Sequence, residues 1–253
     1  YDDNMPRAWE EVWDTGIGTN ANFQKGVSSS TNLSWKSPKF AGTTFQIAYS
    51  PDNDGSSSTD KNVSGSTSDH FGAGWDIVLD TGTSDGAINI FVGGSRTELA
   101  KLKTDRDLSG DHEEAVVGLQ FKFGPVALGG QVSGERMRTR ALNTAEYYGN
   151  SSWGIAFNVN DSLSVSYSEA RHLMTKTHKS NNAGMNDITA GNTQHNFNEY
   201  TPKSWMRGDS IQVAYTIGGV GIKYARTTYD NTLFTFDNKV PRQSQIVAVS
   251  LAF

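Results

Sequence analysis

Residues 243–253, QSQIVAVSLAF, place Gln245, Val247, Val249, Leu251 and Phe253 on one side of an extended chain and Ser244, Ile246, Ala248, Ser250 and Ala252 on the other. One side is bulky and the other small, with the period of a strand rather than of a helix. Working back, DSIQVAYTI (209–217) sets Ile211, Val213, Tyr215 and Ile217 against Ser210, Gln212, Ala214 and Thr216. DSLSVSYS (161–168) sets Leu163, Val165 and Tyr167 against four serines. Similar alternations around Leu33, Phe45, Trp75, Ile90, Leu119, Leu128, Ile155 and Ile222 bring the predicted strands to about eleven.

The connections alternate as well. Short turns at 39–42, 81–85, 124–125, 160–161 and 218–219 interleave with long polar stretches at 51–70, 96–112, 136–150, 171–208 and 230–243. All short turns then lie at one end of the sheet and all long loops at the other, which is the signature of an up-and-down meander and of outer-membrane barrels.

Composition bears on which face is wet. The chain has 253 residues, 36% hydrophobic and 19% charged, with a mean hydropathy of -0.52. No run approaches the roughly 20 apolar residues of a spanning helix, and a barrel needs only one apolar face per strand. A soluble β-rich binding protein such as a lectin would bury the apolar face and charge the other. Here the other face is mostly Ser, Ala, Gly, Thr, Gln and Asn with single lysines (Lys36, Lys122, Lys223), which suits a water-filled lumen. Aromatic residues near strand ends, among them Tyr49, Trp75, Phe123, Trp153 and Tyr215, suit headgroup-level girdles. The expected fold is all-β, a transmembrane antiparallel up-and-down β-barrel forming one domain over 1–253.

A formal charge of -5 without a concentrated basic stretch speaks against a nucleic-acid partner. Zero cysteines exclude disulfides and thiolate chemistry. There is no G-x-S-x-G elbow, no H-E-x-x-H and no phosphate-cradling loop, so no enzyme is expected.

The opening YDDNMPRAWEEVWDTG stands apart. Met5, Trp9, Val12 and Trp13 recur at helical spacing behind Pro6, leaving Arg7, Glu10, Glu11 and Asp14 on the other side, and this predicts a short amphipathic helix. With about eleven strands and both termini of a barrel at the short-turn end, parity leads to the expectation that strands precede Tyr1 and that residues 1–28 are a loop from the long-loop end, with 29–253 the barrel strands and loops.

The run from YDDNMPRAWEEVWDTG to TNLSWKSPKFAGTTFQIAYS resembles the constriction-loop region of general (non-specific) Gram-negative bacterial porins, with MPRAWEE in place of the more usual Pro-Glu-Phe-Gly-Gly wording. The ending QSQIVAVSLAF is similar to the last strand by which the outer-membrane assembly machinery recognises its clients, with Phe253 as the signal. The resemblance implies sixteen strands in the complete barrel, a homotrimer, an infolded constriction loop, and passive diffusion of small hydrophilic solutes and ions across the bacterial outer membrane.

A wide barrel needs something narrower inside it to select. Met5, Trp9, Val12 and Trp13 are expected to hold the loop against the inner wall while Asp2, Asp3, Glu10, Glu11 and Asp14 project charge into the passage. Lys36, Lys122, Arg136, Arg138 and Lys223 are the expected basic wall, Arg136 and Arg138 lying with Arg140 on one side of the GERMRTR stretch at the outer mouth, opposite the acidic loop or against lipopolysaccharide phosphates. Membrane lipid and lipopolysaccharide are the expected surroundings. The five histidines fall in or beside predicted loops, so neither a metal nor a cofactor is expected beyond loosely bound Ca²⁺ at PDNDGSSSTDKN or KTDRDLSGDHEE. A substrate-selective channel is the alternative; it would show an aromatic track or a basic ladder along the lumen, and neither is visible.

Overall fold

The computed structural model describes residues 5–19, 21, 23, 26–27, 31–51, 71–81, 87–99, 111–137, 145–176, 203–235 and 241–251. Eleven strands follow one another: β1 Leu33–Lys36, β2 Thr44–Ser50, β3 Phe71–Asp80, β4 Ile88–Leu99, β5 His112–Phe123, β6 Val126–Arg136, β7 Ala145–Asn158, β8 Leu163–Lys176, β9 Lys203–Ile217, β10 Val220–Asp230 and β11 Arg242–Leu251. They form one antiparallel sheet in chain order, each strand paired with its sequence neighbours. Among the described residues β1 and β11 are each paired on one side only.

The short connections carry their own turn chemistry. Between β9 and β10, Gly218 and Gly219 both have positive φ, 55° and 82°, as a two-residue type I′ hairpin demands. Gly124 at φ 54° precedes Pro125, the positive-then-negative order of a type II′ turn. At the β7–β8 turn the Asn160 side-chain oxygen accepts the amides of Ser162 and Leu163, both at 2.9 Å.

These turns set a register that sorts side chains strictly. Ile90, Leu119 and Gly130 share one row of one face; Trp153 and Glu169 continue it. The outer face exposes Ile47, Ile77, Val92, Phe121, Leu128, Ile155, Ile211 and Val249, a surface that only a hydrocarbon environment satisfies.

The strands run further than their apolar alternation. β7 begins at Ala145, β8 continues to Lys176 and β9 begins at Lys203, all inside stretches whose polarity reads as loop. The pattern inverts in these upper halves: Glu169 and Arg171 are on the outer face of β8, while Ala170, His172 and Met174 are buried on the inner face. The reason is a plug of protein inside the barrel wall. Val12, Trp13, Ile17 and Phe23 pack there against Ala170, Met174, Met206 and Tyr229, together with Phe234 from the chain leaving β10.

Candidate pore constriction

The plug is the opening segment, and it is not helical: residues 5–19 run through bends with a single turn, closed by the Asp14 amide on the Glu11 carbonyl at 3.1 Å. Backbone donors that a helix would satisfy internally go to the wall instead. The Ala8 amide donates to Ser166 Oγ at 2.8 Å, and the Trp9 and Glu10 amides donate to Gln212 Oε1 at 3.1 and 3.0 Å. Gln212 Nε2 donates back to the Glu10 carbonyl. Thr15 Oγ1 lies 2.6 Å from Thr227 Oγ1, which continues to Ser210 Oγ at 2.8 Å. Ser166, Gln212, Ser210 and Thr227 all belong to the inner face of β8–β10.

Shape reinforces these bonds. Gly129 and Gly154 are register partners on β6 and β7. A Cβ on Gly129 would meet Pro6 Cδ at 2.7 Å, and one on Gly154 would meet the Pro6 carbonyl oxygen at 2.6 Å. The wall lacks side chains where the segment lies closest. Further along, Trp13 and Phe23 pack tilted at 35° with ring centroids 4.3 Å apart beside His172, whose Nδ1 is 2.8 Å from Asn150 Oδ1 and Nε2 3.1 Å from the Tyr229 hydroxyl. At the far end Gly26 and Val27 donate their amides to Glu114 Oε2 and Asp76 Oδ2, each at 3.0 Å, both carboxylates on the inner face of β5 and β3.

The carboxylates of the segment separate. Asp14 is exposed and Glu10 partly so. Glu11, expected to project into the passage, is instead 2% exposed and ion-paired with Arg7 one turn earlier in the sequence. Asp2, Asp3, Arg138 and Phe253 lie outside the described residues, as do residues 52–62 and 103–110 of the two acidic stretches considered for Ca²⁺; the end of the second, His112 to Glu114, opens β5. Of the basic residues, Lys36 and Lys122 are exposed on the inner face near the short turns, and Lys223 sits 6.0 Å over the Trp9 ring. Arg136 is a correction. It shares its face with Leu128 and Val132, so it belongs to the outer surface and not to the lumen wall.

Further inward residues line this wall, and two of them, His112 and Glu114, belong to the KTDRDLSGDHEE stretch. Arg242 on β11 pairs in register with the inward Tyr229. Asp76, Glu114 and Glu135 stand in one inner row across β3, β5 and β6, bridged by Ser95. His112 is in a strand, its Nε2 2.7 Å from Glu135 Oε1. His112, Glu114 and Glu135 are all buried with ligand atoms within 4.8 Å of one another, the donor set among the described residues best arranged for a cation; Glu10, Glu11 and Asp14 reach the same spacing with less burial.

A single up-and-down sheet, apolar outside, polar inside and partly filled by an infolded segment, describes a channel wall. The sequence profile of Gram-negative porins matches residues 1–200. The chain belongs to that family. Among solved structures this porin is similar to the outer membrane channel DcaP of Acinetobacter baumannii, with a TM-score of 0.59 and 12% identity over 99% of this chain and 69% of that one. It is also similar to a loop L8 deletion mutant of OmpT, an outer membrane protein of Vibrio cholerae, with a TM-score of 0.50 and 10% identity over 96% of this chain and 72% of that one. No curated protein matches it in sequence. At such identities the two likenesses carry the fold, and with the family they make the porin an integral outer-membrane β-barrel.

Proposed function

We propose that this porin conducts small hydrophilic solutes and ions by passive diffusion, as a homotrimer, through a passage narrowed by residues 5–27. The observation that carries the proposal is the seating of that segment: the backbone from Ala8 to Glu10 is tied to Ser166 and Gln212, and the Pro6 turn lies in the hollow left by Gly129 and Gly154. A segment held at this many points narrows the lumen permanently and does not act as a swinging lid. The charges it leaves toward the passage are Glu10 and Asp14, with Lys223 and Arg242 on the wall, and together they would set a local field in which small ions sort by sign.

The test uses the full-length protein in liposomes and in planar bilayers. General diffusion gives uptake rates that fall smoothly with sugar size without saturating, and conductance steps in groups of three. Saturation by one sugar, with block of ion current by that sugar, would replace this reading with a substrate-selective channel.

A further inference from the structure

The outer face of β8 and β9 departs from the apolar rule at one level. Counting from the short-turn end, β8 presents Leu163, Val165 and Tyr167 outward and then Glu169 and Arg171; β9 presents Ile217, Tyr215, Val213 and Ile211 and then Asp209 and Arg207. Arg171 and Arg207 face each other in register. Two like charges on adjacent strands repel unless an anion joins them. Glu169 joins them from one side: its Oε1 accepts from Arg171 Nε at 3.0 Å and is ion-paired with Arg207 Nε at 2.9 Å. The carboxylate side chain is only 9% exposed, whereas the two arginine side chains are 57% and 55% exposed.

Both guanidiniums are therefore anchored through Nε alone. Their terminal nitrogens have no partner among the described residues and remain on the membrane-facing surface. Immediately beside them an open trough of about 670 Å³ lies over Gly130 and Ser151, walled by Leu119, Val132 and Trp153, with Glu169 and Arg171 on its border. Gly130 and Ser151 are outward positions of β6 and β7, so the trough exists because two small residues stand between the larger Leu119, Val132 and Trp153.

We propose that this is a binding site for a phosphorylated membrane lipid, the phosphate ester on the terminal guanidinium nitrogens of Arg171 and Arg207 and an acyl chain in the trough. Asp209 and Asp230 flank the pair on the same face, the Asp230 carboxylate accepting the Arg207 main-chain amide at 2.6 Å, so a ligand must draw on the guanidinium ends that these carboxylates leave exposed. A phosphate offers them several acceptor oxygens, and arginine forks match its geometry. The apolar trough bordered by Arg171 distinguishes a lipid from a soluble anion, and the face is one that the outer-membrane placement of the barrel turns toward lipid. Glu169 has a positioning role: it holds both forks at a fixed separation without using their terminal donors.

The experiment measures lipid adducts of the detergent-purified, full-length protein by native mass spectrometry, with dioleoyl phosphatidic acid and dioleoylglycerol as probes sharing the same chains. Phosphatidic acid is expected to bind and dioleoylglycerol not. Arg171→Gln with Arg207→Gln should lower phosphatidic acid occupancy at least tenfold. Gly130→Leu should lower it several-fold by filling the trough, and the substitution is tolerated because a Cβ there meets nothing nearer than 3.6 Å. Unaltered single-channel conductance in these variants shows that the barrel is intact and keeps the channel reading separate from this one. Equal uptake of the two lipids, or unchanged occupancy in the double arginine variant, overturns the proposal. A double variant that dissociates into monomers with its lipid occupancy unchanged also overturns it, assigning the arginine pair to a contact between copies of the chain.

Discussion

Gln212 and Glu10 are joined in both directions: the Gln212 side-chain oxygen accepts the Glu10 amide at 3.0 Å and its nitrogen donates to the Glu10 carbonyl. One amide side chain of β9 thus satisfies both polar groups of a peptide that hangs inside the barrel. Gln212→Leu removes these bonds and the one to Trp9 while keeping the bulk. Each is worth about 0.5–1.5 kcal/mol net. The expected outcome is a segment that fluctuates, read as excess open-channel current noise and a raised mean conductance in single-channel records, with the yield of inserted protein unchanged.

The Gly129–Gly154 hollow makes a steric counterpart. Gly154→Val drives side-chain atoms onto the Pro6 carbonyl, which a Cβ alone would approach to 2.6 Å. Overpacking of this kind costs about 1–3 kcal/mol, and the segment, tied by a few hydrogen bonds, gives way before the sheet does. Liposome uptake of the larger sugars should increase, and strand content by circular dichroism should stay the same.

Charge selectivity should follow exposure rather than position in the acidic run. Glu10→Gln and Asp14→Asn are expected to shift the zero-current potential in a salt gradient toward anions, more at low ionic strength where screening is weak. Glu11→Gln should shift it little, because that carboxylate is buried against Arg7; its loss should instead lower stability by about 1.5–3 kcal/mol, the worth of a hydrogen-bonded charged group. Equal potential shifts from Glu10 and Glu11 would contradict the geometry.

Adjacent residues of β5 separate the two faces. Leu119 is outward and Gln120 inward. Leu119→Arg places a guanidinium on the lipid-facing side at a cost of up to about 2–4 kcal/mol and should reduce the amount of heat-modifiable protein in the outer membrane. Gln120→Arg should assemble normally and move selectivity toward anions.

In sequence, Phe253 extends the bulky alternation of Val247, Val249 and Leu251. Phe253→Ala is expected to reduce membrane insertion while leaving the conductance of inserted channels unchanged, as measured by pulse-chase assembly and by bilayer recording.

The strands were legible because each lower half has one neighbour on each face, lipid or water, and such a boundary writes period two directly into Leu163–Ser168 or Ile211–Ile217. The upper half of β8 was not legible. Its inner face meets protein from a distant part of the chain, so Ala170, His172 and Met174 carry the apolar character and the outward positions carry charge. A stretch reading SEARHLMTK then resembles a loop. The supposed helix failed for the same reason: the spacing of Met5, Trp9, Val12 and Trp13 records which residues meet the wall, while the amide partners are Ser166 and Gln212, 158 and 203 positions away. Nothing local separates Glu10 from Glu11 except Arg7 four residues before the latter, a spacing also found in the ion pair. Arg136 was different, since its parity with Leu128 and Val132 was already in the sequence and placed it outward.

Every hydrogen-bonded neighbour in this sheet is also a neighbour along the chain. A duplicated or deleted hairpin would therefore leave every other register intact and change only the circumference, by two strands at a time. Bore and lining are in this sense separately heritable: the number of hairpins sets the width of the tube, and point changes in one short segment and the few wall residues that hold it set how much of that width stays open.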